Sequence, residues 1–215
     1  PVAGGCAPAD GRAVCVALRE LLRGDPAPAQ RIVVTSATSA QGAHLRAFLD
    51  ASGALRLRAL VLGMDADVSQ ALMGLGTTAR VAIATLDNTG AGRCAARKWE
   101  AIAALLGGGV GVLYADVDAV IASNPWSRLA ADSDYEGLST GWEDEDARGH
   151  VMGSDDPPMG WSRYCETMRA ALLDPSLFFV QPTEEARALA LRMAELAAAA
   201  GWAEAEGAAW GAGPD

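Results

Sequence analysis

The chain has 215 residues, 51% of them hydrophobic, and a formal net charge of -10. That length and apolar content suit a single domain (1–215) with a sizeable core and exclude a mostly disordered chain. The acidic balance argues against nucleic acid, or an anionic membrane surface, as a partner held by charge attraction.

Residues 1–30 read as peripheral. Asp10 can cap a short helix whose apolar residues include Val14, Leu18, Leu21 and Leu22, and Pro26 with Pro28 marks a turn. From residue 31 strands and helices alternate. Ile32-Val33-Val34 is a buried strand, and 41–51 is a helix with Leu45, Phe48 and Leu49 on one face. The next strand is Ala59-Leu60-Val61-Leu62, followed by a short helix over 68–73 and a third strand at Val81-Ala82-Ile83-Ala84. A helix over 95–106 turns Trp99 and Ile102 inward and stops at Gly107-Gly108-Gly109, and 110–115 is the fourth strand. Continuous apolar strands separated by helices predict an α/β fold, a Rossmann-like sheet flanked by helices on both faces. Ligands of such sheets bind beyond the carboxyl ends of the strands. This singles out Thr35 and Ser36, Met64 and Asp65, Leu86 and Asp87, and Asp116 to Asp118.

The organisation changes after residue 123. The alternating half (31–123) gives way to a second half (124–205) of different character. Residues 124–160 are rich in Asp, Gly, Ser and Pro and read as long functional loops. Phe178-Phe179-Val180 is a further strand. Thr183 caps a last helix with Glu184 and Glu185 in its first turn, an apolar stripe of Leu189, Met193 and Leu196, and a stop at Gly201.

Four Asp-x-Asp pairs occur, at 65/67, 116/118, 132/134 and 144/146. Only Asp116-Val117-Asp118 directly follows a strongly apolar strand, Val110-Gly111-Val112-Leu113-Tyr114-Ala115. Two carboxylates at the rim of an apolar sheet repel each other and are poorly solvated, so they call for a cation or strong donors. Hard oxygen ligands suit Mn²⁺ or Mg²⁺, whose open positions can take a diphosphate. The bland reading is a solvated turn after a strand.

Other chemistries find little support. The four cysteines (Cys6, Cys15, Cys94, Cys165) lack zinc spacing; Cys6 and Cys15 could pair in an oxidising compartment, or all four could be thiols. His44 reads as a partly buried structural residue and His150 as part of the acidic loop. No Gly-x-Ser-x-Gly elbow or Walker-type loop is present. The longest uncharged apolar stretch, 101–115, falls short of the ~20 residues that span a bilayer, so no membrane contact is expected of this fragment.

Several blocks together resemble the plant-type nucleotide-diphospho-sugar transferases. They are Lys98-Trp99, then Val112-Leu113-Tyr114-Ala115-Asp116-Val117-Asp118-Ala119-Val120, then Asn124-Pro125-Trp126. Asp132-Ser133-Asp134-Tyr135-Glu136-Gly137, Asp156-Pro157-Pro158-Met159-Gly160-Trp161-Ser162-Arg163-Tyr164 and Phe178-Phe179-Val180-Gln181-Pro182-Thr183 point to the extensin arabinosyltransferase branch. The resemblance implies a GT-A-type mixed sheet and a Golgi-lumenal protein whose membrane anchor lies outside this fragment. It implies transfer of a pentose, arabinofuranose favoured, from a UDP-sugar with Mn²⁺ (or Mg²⁺) and with retention. The acceptor would be a glycoprotein or wall polysaccharide, with 31–123 the nucleotide-binding half and 124–205 the donor/acceptor half. Asp116 and Asp118 would hold the metal, with Val117, Thr35, Ser36 and Lys98 on the nucleotide side; otherwise Lys98 is an exposed helix lysine.

Asp132, Asp134 and Glu136 would contact donor or acceptor, or else bind backbone amides of their own loop. Trp161 and Arg163, with Arg169, would form an acceptor platform, or else a packed Trp with surface arginines. Asp174-Pro175-Ser176 departs from the Asn-Ser-Gly of relatives in a segment that lines the donor sugar, and Ala203-Glu204 replaces an Asp-Gln pair. These departures motivate an alternative: a degenerate, non-catalytic member that binds a sugar nucleotide or glycan. A further alternative, a Rossmann-like domain for an unrelated ligand, predicts no dependence on Asp116 or Asp118.

Overall fold

The computed structural model describes residues 12–23, 30–73, 79–86, 94–139 and 173–199. In chain order these form α1 (Arg12–Leu21), β1 (Arg31–Ala37), α2 (Gly42–Ala54), β2 (Arg58–Gly63), α3 (Val68–Met73), β3 (Arg80–Thr85), α4 (Cys94–Gly107), β4 (Gly111–Ala115), β5 (Tyr135–Ser139), β6 (Leu173–Val180) and α5 (Glu184–Ala199). Short 3₁₀ turns lie at Ser39–Gln41 and Pro125–Ser127.

Among the described residues one sheet has six strands in the order β3-β2-β1-β4-β6-β5. The pairs β1–β2, β2–β3 and β1–β4 are parallel, whereas β6 runs antiparallel to both β4 and β5. The expected α/β class and mixed, Rossmann-like sheet are therefore observed. β1 sits where the chain reverses its direction of growth, with β2 on one side and β4 on the other. The carboxyl ends of β1 and β4 thus open the crevice where such sheets take their ligands.

Alternation along each strand sends successive side chains to opposite faces. Ile32, Val34, Val112, Tyr114, Phe178 and Val180 join α1, α4 and α5 in one core cluster. Val33, Ala37, Leu113, Ala115 and Phe179 join α2 and α3 in the other. The helix α4 ends as its glycines predict. Gly109 takes a left-handed φ of 77, the Gly109 amide bonds to Leu106 O, and the Val110 amide bonds to Leu105 O. This is a Schellman termination, which needs a residue free to adopt positive φ.

Four expectations change. The stretch read as peripheral supplies α1, whose Val14, Leu18 and Leu21 are almost fully buried in the first core. Each such side chain contributes roughly 1.5–3 kcal/mol of burial, so the core extends further back along the chain than composition suggested. The apolar stripe of α5 is also rotated. Ala186, Ala190, Ala194 and Ala197 are buried, while Leu189 and Leu196 are exposed. Small residues let α5 approach the equally alanine-rich α4, and that close approach decides which face turns inward. His44 is exposed. Lastly, part of the supposed long loop forms β5, and β6 begins at Leu173 rather than at Phe178. Among the described residues no helix is long and apolar enough to cross a membrane.

Candidate functional site

The carboxyl end of β4 carries the candidate site. The chain leaves the sheet after Ala115 and turns, with the Ala119 amide bonded to Asp116 O at 2.9 Å. Val117 is buried in the α2-side core and anchors this turn, leaving Asp116 half-buried and Asp118 exposed. The Asp116 amide donates to Ser176 O at 2.8 Å, which ties the turn to β6. The Asp174-Pro175-Ser176 segment therefore flanks Asp116, although the Asp174 carboxylate accepts from the Ser176 amide at 2.8 Å.

Asp116 is oriented from below. Tyr114 Oη donates to Asp116 Oδ1 at 2.7 Å, and Ser36 Oγ lies 2.7 Å from Tyr114 Oη. A phenol has one hydrogen. Once Tyr114 gives it to the carboxylate, Ser36 is left as the donor to the phenolic oxygen, and the chain runs from Ser36 through Tyr114 to Asp116. Lys98 places its Nζ 4.6 Å from the Tyr114 ring centroid, within reach of a cation–π attraction. The Tyr114 ring stacks on Phe178 at 5.1 Å, and Phe178 stacks in turn on Trp99 at 5.1 Å and Tyr135 at 5.3 Å. This aromatic column spans α4, β4, β6 and β5 and holds Tyr114 rigidly under the site.

Of the sequence-predicted residues, Ser36, Lys98, Asp116, Val117, Asp118 and Asp174 meet at or beside this edge. Thr35 points to the opposite face of β1 from Ser36. It is fully buried, and its hydroxyl has no hydrogen-bond partner among the described residues. Trp161 and Arg163 lie outside the described residues, as do Asp87, Asp144, Asp146, His150 and Arg169.

Asp132, Asp134 and Glu136 are placed elsewhere. Tyr135 pairs with Val180, and Val180 with Val112, so these acidic residues sit at the amino end of β4, across the sheet from Asp116. Their carboxylates are engaged locally. Glu136 accepts from the Ala130 and Ala131 amides at 3.0 and 2.5 Å. Asp134 accepts from Thr183 Oγ1 at 2.8 Å, and Asp132 from Ser133 Oγ at 2.9 Å. Gln181 completes the clasp through Ala131 O at 2.7 Å. The alternative of backbone-amide binding describes Glu136; none of the three joins the Asp116 site.

Asp65 belongs to a third Asp-x-Asp pair and is also structural. Its carboxylate accepts from the Ser39 amide and hydroxyl at 2.8 and 3.0 Å, and from the Asp67 and Val68 amides at 3.1 and 3.0 Å. The Ser39 amide, foremost among these donors, holds its carboxyl below the usual carboxylate range against a smaller opposing effect of burial. The first turn of α3 is capped as a result.

Over 75 residues the chain is 43% identical to arabinosyltransferase RRA2 of Arabidopsis thaliana, a match covering 35% of this chain and 18% of that protein. Over 98 residues it is 37% identical to arabinosyltransferase RRA1 of the same plant, covering 45% of this chain and 24% of that protein. Part of this chain is similar to plant arabinosyltransferases. The matched stretches span less than a quarter of the length of these curated relatives. No protein-family model matches the chain. No solved structure matches it.

The donor set fits a hard divalent ion in one specific way. Among the described residues no group of three or more His, Cys, Asp and Glu side chains comes together. Asp116 and Asp118 alone would give one or two carboxylates, the protein share common at Mg²⁺-type sites completed by phosphate oxygens and water.

Sequence reasoning missed Tyr114 as part of the site. The signal was a single phenol in an apolar strand, two residues before the motif and so on the same side of the strand as Asp116. Sequence reasoning also left the cysteines open. Cys15 is disulfide-bonded, and Cys94 is exposed and lies outside any disulfide.

Proposed function

We propose that the protein is a metal-dependent glycosyltransferase of GT-A type that moves a pentose from a UDP-sugar to a glycoprotein or wall glycan. Arabinofuranose is the favoured sugar, and transfer proceeds with retention. The observation that carries this reading is the pair Asp116 and Asp118 at the carboxyl end of β4, beside the reversal point of the sheet. Asp116 accepts the Tyr114 phenol, whereas Asp65 accepts backbone amides and Asp132 and Asp134 accept the hydroxyls of Ser133 and Thr183 within their own loop and the following turn. Partial similarity to two arabinosyltransferases supports both the reaction class and the sugar. The disulfide at Cys15 accords with an oxidising compartment such as the Golgi lumen.

Asp116 and Asp118 would hold Mn²⁺ or Mg²⁺, which supplies charge stabilisation for the leaving diphosphate. Lys98 adds positive charge on the nucleotide side, near Tyr114. The remaining work is positioning a reactant whose transition state has oxocarbenium character. No nucleophile is assigned, since a front-face reaction uses none.

The test is calorimetric titration of UDP into the full chain, with and without Mn²⁺, beside an Asp116→Ala/Asp118→Ala variant. The proposal expects Mn²⁺-dependent binding in the wild type and its loss in the variant. A folded wild type that ignores UDP under both conditions would sink it. The non-catalytic alternative draws on Asp174, whose carboxylate is turned onto its own backbone. It predicts donor binding without turnover, which a UDP-release assay with UDP-pentoses separates from catalysis.

A further inference from the structure

The network under Asp116 is more elaborate than a core requires. Tyr114 is fully buried, and its ring is held by Phe178 on β6 with Lys98 of α4 over it. A phenylalanine would fill the same volume and stack the same way. The hydroxyl is the extra element, and both of its observed bonds lead toward the crevice: it donates to Asp116 Oδ1 and lies 2.7 Å from Ser36 Oγ. Ser36 comes from β1 and Asp116 from the end of β4, so the phenol joins the two strands that frame the crevice.

A carboxylate on a turn after a strand has two soft torsions and so several possible rotamers. A bond to a group that cannot itself move selects one of them. Partners that orient a ligating carboxylate commonly change metal affinity 10–100-fold when removed.

The geometry points to Tyr114 as a positioning residue, fixed by the aromatic column and directed by Ser36, that presets the Asp116 carboxylate for a divalent cation with a nucleoside diphosphate. This rests on the reading of Asp116 and Asp118 as the metal-binding pair. Tyr114 touches neither sugar nor diphosphate in this role; it acts through Asp116. The effect is graded. Removing the phenolic hydroxyl removes the Tyr114–Asp116 bond itself, whereas removing the Ser36 hydroxyl leaves that bond in place and only loosens its direction.

The experiment uses the full chain with Mn²⁺ and UDP as probes. UDP affinity is measured by calorimetry at saturating Mn²⁺ and in chelator, for wild type, Tyr114→Phe and Ser36→Ala, with melting temperatures recorded alongside. The expected result is a fall of about 10-fold in the Mn²⁺-dependent affinity of Tyr114→Phe. Ser36→Ala should show a smaller fall in the same direction, and the affinity of Tyr114→Phe in chelator should match that of the wild type. A merely structural tyrosine would shift the melting temperature and leave the Mn²⁺ dependence intact, and that outcome overturns the inference. Should Tyr114→Phe fail to fold, Ser36→Ala decides alone, and wild-type Mn²⁺ dependence in that variant overturns the inference. Wild-type protein that binds UDP equally well with and without Mn²⁺ would instead defeat the metal reading itself, and the inference with it.

Discussion

The two ends of the central strands carry the same motif in different surroundings. At the carboxyl end, Asp116 receives a phenol and Asp118 is exposed. At the amino end, Asp132 and Asp134 receive hydroxyls from Ser133 and Thr183, and neighbouring Glu136 takes two backbone amides. In sequence both are an Asp-x-Asp near a strand. The difference lies in what satisfies the carboxylates. A carboxylate engaged within its own loop stabilises that loop, whereas one set at the crevice of the sheet is placed where ligands of such sheets bind.

Removing each pair in turn should give the largest difference between the two ends. Asp116→Ala with Asp118→Ala should lower UDP-sugar turnover by at least about 100-fold, the scale of losing the charge stabilisation of a leaving group. Asp132→Ala with Asp134→Ala should keep wild-type turnover and lose only thermal stability. Equal losses of turnover from both pairs would show that the two ends are not functionally distinct.

Glu136→Ala sharpens the contrast from the structural side. Two amide bonds to a charged acceptor disappear, so urea unfolding should report a loss of about 1–2 kcal/mol, with UDP affinity unchanged. Asp65→Ala should cost about 1 kcal/mol through the lost α3 cap. Its pH dependence has a definite sign. The Asp65 carboxyl is held below its ordinary range in the fold, so its stabilisation is present above that range and is lost as pH falls through the folded value. The gap between wild type and variant should therefore close in acid.

The smallest effect belongs to Tyr135. Burial first, and the Asp174 charge second, push its phenol up to about 12. The folded state then holds a proton that the unfolded state has released, so stability falls between pH 10 and 12. Tyr135→Phe should flatten that alkaline decline, measurable by thermal melts across the range. An unchanged decline would place the responsible group elsewhere.

Much of the fold was legible residue by residue. The runs at Ile32, Ala59 and Val81 are strands, and the three glycines after Leu106 end α4 through Gly109. Strand periodicity and helix termination are local properties, set by nearest neighbours and backbone sterics. The orientation of α5 was not legible, because Leu189 and Leu196 are the more hydrophobic choice in isolation. Only the facing alanines of α4 make the smaller stripe the better fit.

The same division runs through the site. Sequence by itself determined an α/β chain with an acidic pair at the end of an apolar strand, because apolar runs and their interruptions are written in order along the chain. Tertiary structure alone decided which acidic pair sits at the crevice between β1 and β4, that Tyr114 joins Ser36 to Asp116, and that Glu136 lies at the far edge of the sheet. Those facts depend on strand order and register, which bring together residues as far apart as Ser36 and Tyr114. Hydrogen-bond partners drawn from distant segments leave no periodic mark in the sequence of either one.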